Sequence, residues 1–327
     1  MKDWIKVVAV TFAILLASVS APAQSGGVSL RPILKPGQEA RYRLIAEVNT
    51  EITAAGANGI SGTQSRELNA TVLLRAGVAA PQLATQSAGA QSATAGHGSP
   101  YTRETLTSDA GAAAGDLVYY EAVIEMLDAR LKVNGAETSG VFQNGVGKKI
   151  EFALDSNNRV VKCAIPVEAA KAGLAELLFS MLDWAPAAAV EVGQSWGNSS
   201  GVESAGNYGY ISAAALSDVP KSAQAVYKLS AVNGGQAVIE GALALRQEGA
   251  TRLAIPAAQI EVNLSGAGDG TTRIDYDVAG NRIASAVSES LLKGRVVNVQ
   301  PTRPGEPMQP REGALVETAK FSIKLLP

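Results

Sequence analysis

The sequence has very little of the side-chain chemistry that metal sites and most catalytic centres use. Cysteine and histidine occur once each among 327 residues, as Cys163 and His97. A lone cysteine cannot form an intrachain disulfide, and one thiol with one imidazole falls two ligands short of a tetrahedral zinc site. We therefore expect no metal and no cofactor, and we interpret Cys163 as a small buried apolar residue.

Charge and long apolar stretches are also scarce. Charged residues make up 18% of the chain and the formal net charge is −2, so nucleic acid is not an expected partner. Beyond the N-terminus no apolar run reaches the roughly 18 residues of a transmembrane helix, so no such helix is expected after signal removal. An outer-membrane β-barrel is a less favoured alternative, because aromatic residues make up only 5% and the last residues, Leu325, Leu326 and Pro327, lack an aromatic girdle.

What the N-terminus does contain is a secretory signal pattern. Two lysines precede an apolar run over 7–19, and small residues then give an A-x-A site. The apolar run is too short to span a bilayer, which favours a cleavable signal over an anchor. We predict that residues 1–23 form a signal peptide cut between Ala23 and Gln24, and that the protein is periplasmic or secreted.

Behind the predicted cleavage site the composition indicates a β-rich domain. Residues 24–36 are rich in Ser, Gly and Pro and are predicted to be a flexible leader, and 37–327 form the domain. Within it, 76–100 is a low-complexity loop, because it has too few apolar residues to offset its ordering entropy. Two similar hairpin sequences leave open a duplication into halves 37–186 and 187–327.

Most of the domain alternates between apolar and polar residues, which is the period of a half-buried β-strand. In 40–53, for example, Tyr42, Leu44 and Ala46 fall on one face and charged residues on the other. The same pattern predicts strands at 68–74, 149–154, 160–165, 209–216, 225–232, 236–246, 259–264, 271–277, 282–287, 293–299 and 317–326.

Two segments have a helical period instead. Over 116–133 apolar residues recur three and four positions apart, which predicts an amphipathic helix, with a strand over 117–124 as the alternative. A second helix is predicted to begin at Pro166 and to end near 183, and its wide apolar face predicts deep burial. The expected fold is therefore mainly β (α+β): a half-barrel-like curved antiparallel sheet packed on one or two helices.

Several short catalytic motifs occur, and each lacks a part that its chemistry needs. The G-x-S-x-G at 193–197 has neither a following helix nor a later histidine, so we expect a turn leading into a strand, with Trp196 packed on the core. The S-x-x-K at 290–293 lacks its partner motifs, 145–149 lacks the glycine spacing of a phosphate loop, and 275–286 lacks two calcium ligands. No catalytic or metal-binding residue is assigned, and the sequence singles out no ligand-binding residue.

Three segments together resemble a family of exported proteins. They are 35–43, reading Lys-Pro-Gly-Gln-Glu-Ala-Arg-Tyr-Arg; 186–196, ending Val-Glu-Val-Gly-Gln-Ser-Trp; and the Gly-Asp-Gly and Gly-Asn-Arg positions of 268–282. Over about 35–326 the chain is similar to uncharacterised exported bacterial β-rich proteins with a domain of unknown function, and similar in outline to the half-barrels of periplasmic lipoprotein carriers. The resemblance implies a location outside the cytoplasm and a curved sheet over a helix, and no catalytic residues.

These observations favour an exported, non-enzymatic protein. A curved sheet over a buried helix has a concave apolar interior, which predicts a lipid or other apolar ligand, or an envelope protein, as the partner. The alternative is a structural or interaction protein of the cell envelope without a pocket. An enzyme that uses carboxylates alone is a less favoured hypothesis, since the sequence singles out no acidic pair.

Overall fold

The structure is a computed structural model that describes part of the chain. It covers residues 27–31, 34–54, 62–77, 117–138, 143–155, 160–182, 184–186, 188–197, 221–255, 258–301 and 308–327. The predicted signal 1–23 with its cleavage site, the low-complexity loop beyond Gly77, His97 and the predicted strand 209–216 lie outside the described residues.

The architecture is one curved, antiparallel sheet of twelve strands over two short helices, which confirms the predicted fold class. Across the sheet the order is β6-β5-β3-β2-β1-β12-β11-β10-β9-β8-β7, with β4 paired to β3. The strands are β1 (Glu39–Ala54), β2 (Gly62–Ala76), β3 (Val118–Val133), β4 (Ala136–Thr138), β5 (Lys149–Leu154), β6 (Val160–Ala164), β7 (Ser195–Gly197), β8 (Lys221–Asn233), β9 (Gln236–Ile255), β10 (Ala258–Asp277), β11 (Arg282–Pro301) and β12 (Met308–Leu326).

Side-chain alternation sets the two faces of the sheet. On β1, Tyr42, Leu44 and Ala46 are buried on the concave face, while Arg41 and Arg43 are exposed on the convex face. β1 pairs with β2 on one side and with β12 on the other, so the first and last strands lie together in the middle of the sheet. The core therefore lies between the concave face and the two helices.

The helices are α1 (Val167–Ala172) and α2 (Leu174–Ser180), separated by Gly173. Gly173 has φ +74°, a left-handed conformation that costs a residue with a Cβ about 1–2 kcal/mol. The predicted helix from Pro166 to about 183 is thus confirmed as two pieces. α2 is the buried piece, as its wide apolar face predicts, and all but the last of its residues are buried.

The helix predicted over 116–133 is wrong, and the strand alternative is correct there. The segment forms β3, with Tyr120, Ala122 and Ile124 on the concave face. A β-bulge follows, because Thr71 of β2 pairs with Met126 while the next residue, Val72, pairs with Ile124. The extra residue moves the inward positions from even to odd numbers, so that Leu127 and Ala129 are the next buried residues. This shift places apolar residues three positions apart and imitates a helical period.

Four predicted strands merge into two long ones. Segments 259–264 and 271–277 belong to β10, and segments 282–287 and 293–299 belong to β11. The two predicted segments of β10 are separated by three glycines, Gly266, Gly268 and Gly270, and these are strand residues. A Cβ at Gly268 would collide with the backbone of Leu291 on β11, so the glycine permits the close approach of these two strands.

Part of the predicted leader is attached to the core. The backbone of Val28 forms a two-way bridge with Val190, with N···O distances of 2.8 and 3.0 Å. Leu30 and Leu34 are 1% and 3% exposed, and the hydroxyl of Tyr276 donates to the carbonyl oxygen of Arg31 at 2.6 Å. Where the structure describes it, this segment therefore helps to cover the concave face.

Candidate functional site

The concave face is an apolar wall several strands wide. Residues that face each other in register form transverse rows, because every pair of neighbouring strands is antiparallel and the inward positions align. One row consists of Leu44, Ile323, Ala286, Ile274, Ile239 and Leu229, on β1, β12, β11, β10, β9 and β8 in that order. Such a wall requires an apolar cover, and α2 supplies it.

Tryptophans hold the C-terminal end of α2 against the sheet. The indole N–H of Trp184 donates to the carbonyl oxygen of Met181 at 2.8 Å, and its ring meets Tyr276 edge-on at 5.6 Å. Trp196 donates to the carbonyl oxygen of Trp184 at 2.8 Å and stacks on Tyr227 at 6.1 Å. Trp196 thus packs on the core, after a turn that leads into β7, as the sequence predicts.

Aromatic rings fill the other side of α2, toward β3 and β5. Phe179 of α2 meets Phe152 edge-on, and Phe152 stacks on Tyr120, each with 5.2 Å between ring centroids. The Tyr120 hydroxyl is buried and makes no hydrogen bond within the described part of the chain. Burial raises the pKa of Tyr120 above its usual range, so the phenol is neutral at all ordinary pH values. This side of the helix is closely packed.

Toward β8–β12 the packing under α2 is incomplete. A cavity of about 60 Å³ lies between the helix and this half of the sheet. The residues that line it are mainly apolar: Leu177, Ser180, Met181, Trp184, Tyr227, Leu243, Thr272, Ile274, Ile283, Ala286, Val287, Ser288, Phe321 and Ile323. Ligand pockets for small molecules usually measure about 300–1,000 Å³, so this cavity is too small to enclose such a ligand in the conformation described.

The small polar residues of the cavity wall are Ser180, Thr272 and Ser288. Ser180 uses its hydroxyl to donate to the carbonyl oxygen of Leu177 at 2.7 Å, within α2. Thr272 and Ser288 are register partners on β10 and β11. Hydroxyl groups carry no charge, so the wall of the cavity is uncharged and mainly apolar.

α1 is fixed separately from α2, by charge. The ammonium group of Lys148 lies 2.7 Å from the Glu168 carboxylate, and this hydrogen bond is the largest influence that lowers the pKa of Glu168. Lys148 belongs to the segment 145–149, which lacks the glycine spacing of a phosphate loop, and its ammonium group contacts a carboxylate. α1 is thus held by this contact, and Gly173, the one glycine between the helices, separates it from α2.

The remaining motif residues do not come together as a catalytic site. Ser195 lies exposed on β7, and Ser290 and Lys293 point to opposite faces of β11. Asp277 accepts a hydrogen bond from the Gly280 N–H at 2.9 Å and one from the Arg282 guanidinium at 3.1 Å, so it stabilises the β10–β11 turn. Both contacts lower its pKa.

Cys163 is half-buried on β6 and packs against the core, which agrees with its interpretation as an apolar residue. Burial raises the pKa of its thiol to about 11, so the thiol is protonated at neutral pH. Among the described residues, no group of three or more His, Cys, Asp or Glu side chains is placed to hold a metal ion. No helix in the described ranges is long and apolar enough to cross a membrane.

The sequence did not predict charged residues in the interior, and Arg66 and Glu176 are two of those that the structure places there. Arg66 of β2 lies on the concave face by its alternation with Leu68 and Ala70, and Glu176 of α2 is 9% exposed. The only available signal was that Arg66 has the same parity as the apolar residues Leu68 and Ala70, and the pairing of β2 with β1 shows which face that parity occupies. The cavity-lining set was also missed, because it joins six elements that are distant in sequence.

Comparison with known proteins yields weak likenesses only. No protein-family model matches the chain, and no curated protein matches it. Among solved structures, the chain is similar to lipovitellin, in a structure titled for lipid–protein interactions, with TM-score 0.43 and 10% identity over 90% of this chain and 26% of that one. The chain thus spans about a quarter of the length of lipovitellin.

Two outer-membrane proteins are also similar, more distantly. Salmonella typhi OmpF in complex with daunomycin matches with TM-score 0.18 and 6% identity, over 87% of this chain and 98% of that one. An outer membrane channel from Pseudomonas putida matches with TM-score 0.17 and 8% identity, over 94% and 100%. All of these TM-scores are below 0.5, and the likenesses assign no function to this chain.

Proposed function

We propose that the protein is an exported, non-enzymatic binding protein that holds an apolar ligand between α2 and the concave face of β8–β12. The observation that carries the proposal is the mainly apolar cavity under α2, on a sheet whose concave wall continues well beyond the helix. An apolar ligand gains about 25 cal/mol for each Å² of its surface that it removes from water, which favours such a wall.

The small volume of the cavity means that α2 must move to admit a ligand. The helix has only seven residues and is joined to α1 through Gly173, whose left-handed conformation marks a point of backbone freedom. When α2 moves away, the ligand takes over contacts that Leu177 and Met181 make in the closed form. Exchange of one apolar cover for another offsets part of the free energy that opening costs.

Uptake of laurate by the purified full chain tests this proposal. Native mass spectrometry after removal of co-purified lipid, with laurate below its micelle concentration, should detect a one-to-one complex. Ala286→Phe fills the cavity from β11 and should abolish the complex, whereas the matched Ala242→Phe, on the convex face of β9, should leave it intact. Circular dichroism confirms that both variants fold. A wild-type protein that ignores laurate contradicts the proposal.

The small volume of the cavity, about 60 Å³, also favours a second candidate: a structural or interaction protein of the cell envelope without a ligand pocket. In that case laurate uptake is absent, and cross-linking in cells yields one defined protein partner. These two results together favour the second candidate over the first.

Export is part of the proposal and rests on the N-terminal signal pattern. Its test is independent of the ligand: the mature protein, isolated from a periplasmic or culture fraction, should begin at Gln24. An intact start at Met1 in a cytoplasmic fraction contradicts it.

A further inference from the structure

Two donor side chains interrupt the apolar concave face on β2. Leu68, Ala70 and Val72 point inward, and the same parity places Arg66 and Gln64 on the concave face. The Nε of Arg66 and the Nε2 of Gln64 are buried, and within the described part of the chain neither atom makes a hydrogen bond. A buried donor without an acceptor is costly, so this position favours a group that brings acceptor atoms.

The next strands limit where such a group can lie. Gln64 is the register partner of Thr50, and Thr50 is the register partner of Glu317 on β12. The hydroxyl of Thr50 donates to the Glu317 carboxylate at 3.2 Å. Glu317 is two strands from Gln64, roughly 10 Å at the usual spacing. Its negative charge disfavours an anion at the β12 end and leaves the β2 end, beside Arg66, for one.

α2 carries a buried carboxylate, that of Glu176. Glu176 is only 9% exposed, and its charge acts on Arg66. Burial lowers the pKa of Arg66, and the negative charge of Glu176 partly offsets this by raising it. Glu176 directly precedes Leu177, which lines the cavity, so the helix carries charge and apolar cover together. If α2 moves away, Arg66 loses the influence of this negative charge, and a buried charge without an opposite charge is strongly unfavourable.

We infer that the ligand is an amphiphile with a single anionic head, a carboxylate or phosphate monoester, which lies beside Arg66 and Gln64 with its tail along β8–β12. In this exchange Glu176 is an internal substitute for the ligand's head group. An anionic ligand replaces both parts of what α2 supplies, the charge and the apolar surface. A neutral ligand replaces only the second. This inference rests on the proposed function and names the chemical class of its ligand.

The test compares laurate with lauryl alcohol on the full chain, by isothermal titration below the micelle concentration of each. The wild type should bind laurate at least about tenfold more tightly than the alcohol, and inorganic phosphate, which has no tail, should not bind measurably. Glu176→Gln removes the competing anion and should tighten laurate binding by about tenfold, with little effect on the alcohol.

Removal of the cation should remove the preference. Because Arg66→Met alone removes a positive charge that interacts with the buried Glu176, the double variant Arg66→Met/Glu176→Leu is the safer probe. It replaces both charges by apolar residues, which buried sites often tolerate. It should bind laurate and the alcohol equally. Arg43→Met, which removes the same charge from the convex face of β1, should preserve the wild-type preference.

The outcomes separate the two proposals. Equal binding of laurate and alcohol by the wild type, or weaker laurate binding by Glu176→Gln, overturns the head-group inference and leaves the apolar site standing. If the wild type binds neither amphiphile, the proposed function and the inference both fail. Tight binding of inorganic phosphate alone identifies a simple anion site and contradicts the role of the tail.

Discussion

Leu177→Ala is expected to weaken the fold and to strengthen ligand binding. Leu177 is 1% exposed, lies on α2 and lines the cavity. Truncation of a buried leucine to alanine costs about 2.7–5.0 kcal/mol, and the adjacent void prevents close repacking, so we expect a loss of about 3 kcal/mol in the free energy of unfolding. Those contacts exist only while α2 is docked. Their loss therefore favours the open form, and each 1.4 kcal/mol raises its population about tenfold.

Apparent laurate affinity should accordingly rise by at least about tenfold in Leu177→Ala. Urea denaturation followed by tryptophan fluorescence gives the stability, and isothermal titration gives the affinity. Leu264→Ala is the matched control: Leu264 is 2% exposed on β10 and does not line the cavity. It should lose similar stability and gain no affinity. An affinity gain of equal size in both variants, or none in either, would refute the reasoning.

Three further predictions concern the rest of the fold. Burial raises the pKa of Cys163 to about 11, so at pH 7.5 iodoacetamide should modify the native thiol much more slowly than the urea-unfolded thiol. The rate for the native protein should increase as the pH approaches 11. Equal rates for the native and unfolded protein contradict this prediction. The pKa of Asp277 lies below its ordinary 3.8, so its ionised carboxylate stabilises the fold above pH 3.8. This stabilisation is lost as the pH falls through the lowered pKa. Asp277→Asn should therefore be less stable than the wild type at pH 7 and equal to it in strong acid, as urea titrations at several pH values would reveal. Tyr276→Phe loses the hydrogen bond to Arg31 and should cost about 1 kcal/mol in unfolding free energy, and an unchanged value would show that this contact does not fix the segment before β1.

Local alternation was enough to predict the sheet, because a half-buried antiparallel strand shows its two faces in sequence. The prediction from alternation failed in β3, where one extra residue moves the inward positions from even to odd numbers. Glu125 at the β3 bulge converts a period of two into apparent helical spacing, and the glycines of β10 look like a break although they permit close strand packing. Neither error is visible without the partner strand, since register is a property of two strands.

The candidate site was less accessible to sequence reasoning than the fold. A buried helix after Pro166 was predictable from its apolar breadth, but the cavity depends on how α2 and β8–β12 fail to fill the space between them. The electrostatic effect of Glu176 on Arg66 links residues that are far apart in the chain. Long-range pairing of this kind follows from topology, which single-sequence patterns do not specify.

Photolabelling is the most direct test of the claim that an apolar chain lies under α2. A laurate analogue with a diazirine in its tail is bound to the full chain, irradiated, and mapped by tandem mass spectrometry to single residues. The account predicts labels on α2 and on cavity-lining residues such as Phe321 and Ile274, with competition by unlabelled laurate. Labels confined to convex-face residues such as Val226, or spread without competition, would contradict it.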